Sequence, residues 1–336
     1  MRASSRLALV AVGGFILVGA AGCGGNADES ASAPSASVGT AAAGGGDLSG
    51  TIEADGSSTV GPLTTAAAEA FQEANPGVTV TVGISGTGGG FERFCAGETD
   101  VSNASRPIKE DEEVPVCDEN GVKYVELPVA IDALTVVTNP ENDWATCLTV
   151  DQLRAMWEPA AEGTVTSWNQ IDPSFPDEPL TLAGAGTDSG TFDYFTGTIN
   201  GEEGASRADY TASEDDNVTV QAVEGEKGAL GYFGYTYFEE NRDKLKALEI
   251  DGGSGCVGPS AETARDGSYA PLSRPLYVYV NRTALSEKPE LRAFVRFYLD
   301  NIDTLAATAL FIPQSDEQKA KAEEALAEAG GTSTSG

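Results

Sequence analysis

The sequence predicts an α/β fold built on an open sheet of βαβ units, and three observations carry that expectation. The order of short apolar strand, small-residue loop and helix start recurs along the chain. Residues 78–84 alternate apolar and polar side chains as a half-buried strand does. A strong strand over 276–281 is followed by a strong helical pattern over 289–305. In open sheets of this kind ligands sit beyond the carboxyl ends of the strands, so function is sought in the loops that follow them.

The first 22 residues hold Arg2, Arg6, an apolar run over 7–21 and small residues ahead of Cys23. A basic start, a short apolar core and small residues before the cut make a secretory signal, and the run is short for a membrane span. Ala20-Ala21-Gly22-Cys23 is similar to a bacterial lipobox, with Ala20 where that pattern usually has Leu. A lipidated Cys23 would tether the chain outside the cytoplasmic membrane; the alternative is an ordinary cleaved signal with a chance cysteine. Residues 24–47 are Gly, Ala and Ser with a few acids, which cannot pack a core and read as a flexible tether. The folded part starts near Leu48 and holds about 280 residues, one large domain or two lobes.

Residues 51–54 read as a strand ending in Asp55-Gly56-Ser57-Ser58-Thr59-Val60-Gly61-Pro62. Pro62 suits a first helical turn, and 63–74 carries apolar residues at helical spacing. After the strand at 78–84, the loop 85–90 leads into a helix at 91–96. A third short strand follows over 100–108, with a loop behind it. Residues 122–127 and 130–138 read as adjoining strands, and 148–157 as a helix started by Thr149 or Asp151. A loop-rich stretch over 167–179 precedes a strand at 180–183 and the segment 184–195, which runs from a loop into a helix. Further helices are expected at about 215–224 and at 235–241, with a glycine-flanked strand at 228–233 between them. An exposed helix over 316–329 closes the chain. No internal repeat is evident.

The chain contains no histidine, which removes Ser-His-Asp and Cys-His catalysis, His-ligated zinc and a histidine base. Neither a phosphate-binding P-loop signature nor a nucleophile elbow is present. The formal charge of −32 speaks against nucleic acid as a partner. Apart from Cys23 there are four cysteines, Cys95, Cys117, Cys147 and Cys256. An even number in an exported chain points to disulfides, with three pairings open.

Three loops share one design: 56–59, 86–90 and 188–191 each lie between a strand and a helix start and offer hydroxyls and unhindered N–H groups. A helix N-terminus has orphan donors and the positive end of the dipole, so it suits an anion. Each loop alone is most simply a capped turn. Three converging on one oxyanion would suffice without a metal, because charge-assisted hydrogen bonds contribute about 1.5–3 kcal/mol each and micromolar affinity needs about 8 kcal/mol.

At these residues the chain resembles the phosphate-binding lipoprotein of the bacterial high-affinity phosphate ABC transporter. The matching stretches are DGSSTVGP at 55–62, GISGTGGGFERF at 83–94, TDVSNASRPI at 99–108, SWNQIDP at 167–173, GAGTDSGTFDYF at 184–195 and GALGYFGY at 228–235. They are spread over about residues 50–310. The resemblance implies a two-lobed periplasmic-binding-protein fold of type II, with two crossover strands and the ligand in the interlobe cleft. Lobe one would take 48–137, lobe two 138–276, and 277–336 would return to lobe one and end in the C-terminal helix. On that division Cys95–Cys117 and Cys147–Cys256 each stay within one lobe.

The family's binding residues fall on Thr59, the Val60 N–H, Thr87 (where the family usually has Ser), Ser189, the Gly190 N–H and Thr191, with Ser58 as an extra donor. Two positions depart from the family pattern. Arg106 stands where many members have Asp, and Ala185 where they have Arg. The expectation is a relocated charge, with Arg106 supplying the guanidinium from lobe one; an outward-facing surface arginine is the alternative. Asp188 is the expected acceptor for the proton that phosphate carries at neutral pH, with Asp55 second and a helix cap as the other reading of Asp188.

The implied function is extracytoplasmic phosphate capture by lobe closure and delivery to an ABC permease. It is carried out by a lipid-anchored monomer without cofactor, metal or catalysis, on the outer face of the cytoplasmic membrane. A sulfate- or other oxyanion-binding protein would share the fold, a phosphatase on this scaffold would lack the usual catalytic groups, and a signalling or adhesion lipoprotein would keep the fold without transport.

Overall fold

The computed structural model describes residues 48–187 and 189–330. In chain order its first elements are β1 (Gly50–Gly56), α1 (Gly61–Ala74), β2 (Val78–Val82), α2 (Gly86–Cys95), β3 (Val101–Ala104), α3 (Glu113–Glu119) and β4 (Tyr124–Thr138). Then come β5 (Cys147–Thr149), α4 (Val150–Trp157), β6 (Thr181–Ala185), α5 (Gly190–Ile199), β7 (Thr211–Ser213), α6 (Asp216–Gly225), β8 (Ala229–Gly234) and α7 (Tyr235–Glu240). The last third holds β9 (Lys246–Ala247), β10 (Glu249–Asp251), β11 (Cys256–Val257), α8 (Ala261–Arg265), β12 (Ser273–Asn281), α9 (Arg282–Glu287), α10 (Pro289–Asp300), α11 (Ile302–Thr308) and α12 (Asp316–Glu328).

The main sheet runs β2-β1-β3-β12-β4-β8-β6-β7. In one half β2, β1 and β3 are parallel and β12 returns antiparallel beside β3. In the other half β7, β6 and β8 are parallel. The long strand β4 joins them: it pairs with β12 from Tyr124 to Ala133 and then with β8 from Leu134 to Thr138. Where the sequence predicts two adjoining strands there is thus one strand of 15 residues. Its Pro128 lies at the register shift opposite Leu276 and Tyr277, the kind of irregularity where a residue without an N–H is tolerated in a ladder.

Each half buries its own core. One packs Ile52, Phe71, Leu127, Val278 and Phe294 between the sheet and α1 and α10, and carries α12 through Ala322 and Leu326. The second core is aromatic: Trp157 meets Phe195 and Tyr232 edge-on, and Phe195 and Tyr232 stack 3.8 Å apart. Further differences from the sequence reading have local causes. Gly86–Gly90 is not a loop but the first turns of α2, because the absence of side chains lets that helix press against β1 at Gly56. The helix expected over 289–305 breaks at Asn301, and residues 113–119, read as loop, form α3. The last helix is not wholly exposed. Disulfides join Cys95 to Cys117 and Cys147 to Cys256. Among the described residues no helix is long and apolar enough to cross a membrane.

Candidate functional site

The first loop leaves β1 at Gly56, whose φ of +137° and contact with the Asn103 carbonyl both exclude a side chain. Ser57 is buried and structural. Its N–H donates to Asn103 O at 2.9 Å, its carbonyl accepts the Gly61 N–H at 2.9 Å, and its Oγ accepts the Thr59 N–H at 3.2 Å. That turn presents Ser58, which is exposed, and Thr59, which is half-buried, at the N-terminus of α1. Val60 takes the N-cap position but offers no side-chain cap; in the first turn the Gly61 N–H is already given to Ser57 O and Pro62 has none to give.

The second loop is tied to the first by the Ser85 N–H, which donates to Gly56 O at 3.1 Å. Thr87, in the first turn of α2, lies 3.0 Å from Ser105 Oγ and accepts the Ser105 N–H at 3.2 Å. The third loop brings Ser189 to the N-cap of α5, where its Oγ accepts the Thr191 N–H at 3.1 Å. Gly190 is the first residue of that helix. A Cβ on it would lie 3.0 Å from Thr59 Oγ1 and 3.7 Å from Ser58 Oγ. The N-termini of α1 and α5, carried by opposite halves of the sheet, therefore face each other at van der Waals distance. Asp188 lies outside the described residues.

Of the three charged side chains expected at the site, the two among the described residues, Arg106 and Asp55, are engaged with other partners. Arg106 forms a two-pronged ion pair with Glu113 at 2.7 and 2.9 Å, donates to Pro107 O at 3.0 Å, and lies over the Phe91 ring. Burial by itself would raise the Glu113 pKa, but the Arg106 guanidinium and the Lys109 N–H outweigh it, and the net shift is downward. Asp55 is buried, pairs with Arg93 and accepts the Gly56 N–H at 2.7 Å.

The guanidinium that does reach the first loop belongs to Arg274. Its Nη2 donates to Thr59 Oγ1 at 3.2 Å, its Nε donates to Asp132 Oδ2 at 3.1 Å, and its carbon lies 3.6 Å from the centroid of the Tyr194 ring on α5. Arg274 and Asp132 are direct cross-strand partners on β12 and β4, one residue from the point where β4 passes to β8. Burial pushes the Asp132 carboxyl above the usual carboxylate range, and the Arg274 charge works against that rise. Asp193, in the first turn of α5, is also pushed up by burial with Arg274 opposing. Arg274, Asp132 and Tyr194 were not read as site residues from sequence. The one available signal was a lone acid, Asp132, inside the run 127–137, whose other residues are apolar except for Thr135.

The sequence profile of the PBP superfamily domain matches residues 41–301. Protein SphX of Synechocystis sp. is 52% identical over 266 residues, covering 79% of this chain and 79% of that protein. The phosphate-binding protein PstS of Staphylococcus saprophyticus is 39% identical over 321 residues, 94% of this chain and 93% of that protein. The crystal structure of a possible phosphate binding protein from Planctomyces limnophilus is 48% identical. It superimposes with a TM-score of 0.80, covering 84% of this chain and 99% of that one. The chain belongs to the PBP superfamily and, within it, to the family of the phosphate-binding protein PstS.

Proposed function

We propose that this protein binds inorganic phosphate in the cleft between its lobes and delivers it to the permease of an ABC transporter. The observation that carries this reading is the meeting of the α1 and α5 N-termini at Thr59 and Gly190, with Arg274 donating to the same Thr59 hydroxyl. The donors assigned to the anion are the hydroxyls of Ser58, Thr59, Thr87, Ser189 and Thr191 and the N–H groups of Val60 and Gly190. Arg274 is assigned as the cation in place of Arg106, whose guanidinium is occupied by Glu113. Two helix dipoles, several hydroxyls and one guanidinium supply the roughly 8 kcal/mol that micromolar binding needs.

The family is one of solute-binding transport proteins, and no catalytic role is assigned to this chain. Lobe one is assigned to 48–137 and 277–330 and lobe two to 138–276, with bound anion favouring the closed arrangement because only that arrangement assembles donors from both lobes. The protein is taken to act as a monomer held at the outer face of the membrane through Cys23.

Calorimetric titration with phosphate, arsenate and sulfate at two pH values tests the reading. Phosphate is expected to bind at micromolar concentration or below and sulfate at least about a hundredfold more weakly. Tight sulfate binding would make the protein a general oxyanion or sulfate receptor instead. In the same titration Arg274→Gln is expected to weaken phosphate binding by about 10- to 100-fold, the value of one or two charge-assisted hydrogen bonds, and Arg106→Gln by much less. The reverse order would return the guanidinium role to Arg106.

A further inference from the structure

We infer that Tyr194 is a positioning residue for anion binding: with Asp132 it holds the Arg274 guanidinium where both halves of the cleft can use it. The inference rests on the phosphate reading of this site. An arginine side chain has many rotamers, and one that must meet a small anion loses that freedom on binding unless the protein has removed it beforehand. Here three contacts remove it. The Asp132 carboxylate takes Nε at 3.1 Å, the guanidinium carbon sits over the Tyr194 ring 3.6 Å from its centroid, and Thr59 Oγ1 accepts from Nη2 at 3.2 Å. The Arg274 side chain is only 17% exposed, so the ring and the carboxylate enclose most of it.

The ring is itself pinned. Tyr194 Oη donates to Pro271 O at 2.8 Å, three residues ahead of Arg274 on the segment entering β12. One turn earlier the same helix carries Ser189, Gly190 and Thr191. The α5 donors and the Arg274 guanidinium are therefore linked twice through Tyr194, once by stacking and once by a hydrogen bond. On the lobe division proposed above, the Arg274 contacts that cross from one lobe to the other are those to Thr59 and Asp132. Tyr194 need not touch the anion for this; its effect passes through Arg274.

That indirect action is what a double-mutant cycle detects. Phosphate affinity is measured by calorimetry for the full chain and for Tyr194→Leu, Tyr194→Phe, Arg274→Gln and the Tyr194→Leu/Arg274→Gln pair, with thermal melts as a check on folding. Tyr194→Leu is expected to weaken phosphate binding about tenfold by removing the face that holds the cation. Tyr194→Phe, which keeps the ring, is expected to recover most of that loss. In the Arg274→Gln background the Leu substitution is expected to cost less than about twofold, since there is no guanidinium left to position. Equal losses in both backgrounds would overturn the role of Tyr194 while leaving phosphate binding in place. A parent protein that binds no phosphate would overturn the functional reading itself.

Discussion

At the scale of single residues the proposed site turns on one glycine and one arginine. Gly190 faces Thr59 across the two halves, with space for a hydrogen but not comfortably for a methyl group beside Thr59 Oγ1. Gly190→Ala is therefore expected to oppose closure and weaken phosphate binding by about tenfold or more, the effect of 1–3 kcal/mol of overpacking. Because α1 and α5 belong to opposite halves of the sheet, opening of the proposed cleft would relieve the clash, and the melting temperature without ligand should change little. An affinity within twofold of the parent would show that closure does not need this contact. The hydroxyls at 58, 59, 87, 189 and 191 could be found from sequence, since small polar residues after a strand mark a helix N-terminus wherever the chain folds. Arg274 could not, because its partners Asp132, Thr59 and Tyr194 lie 80 to 215 positions away along the chain.

At the scale of elements, helix starts carry both the proposed binding groups and a pH-sensitive weakness. Asp215 caps α6 by accepting the Asn217 N–H. Its neighbour Asp216 is half-buried, and burial together with the charges of Asp215 and Glu214 pushes its pKa up from 3.8 to about 6. A carboxyl whose folded-state pKa is raised holds its proton more tightly in the folded state. Its stabilising contribution is therefore complete below pH 3.8 and is lost as pH rises through 6. Asp216→Asn should thus raise the melting temperature at pH 8, by about 2–4 °C for 1 kcal/mol in a chain of this size, and do little at pH 4. Calorimetric scans at the two pH values check this, and an equal shift at both would exclude the carboxyl charge as the cause. The helices α1 and α4 were legible from sequence because apolar spacing and their N-terminal signals agree. The break at Asn301 was not, since the apolar pattern continues through Ile302 and Leu305 into the same core.

At the scale of the whole molecule, β4 and β12 decide how two cores become one binding device. Both sit in the middle of the sheet, and the Arg274–Asp132 pair lies on them where β4 leaves one half for the other. The proposed lipid anchor belongs to this scale too, since it concerns where the assembled protein works. Cys23→Ser is expected to move the protein from the membrane fraction to the soluble one, as fractionation and immunoblotting would show; retention in the membrane would remove the anchor from the account. By itself the sequence determined the α/β class, the three small-residue stretches at helix starts and the kinship they reveal, because each is a local pattern of spacing and residue type. Only the tertiary structure decided which loops meet and which cation reaches Thr59. Arg106 and Arg274 are equally plausible as letters, and the choice rests on partners brought together by folding: Glu113 occupies the one, while Asp132, Thr59 and Tyr194 hold the other at the cleft.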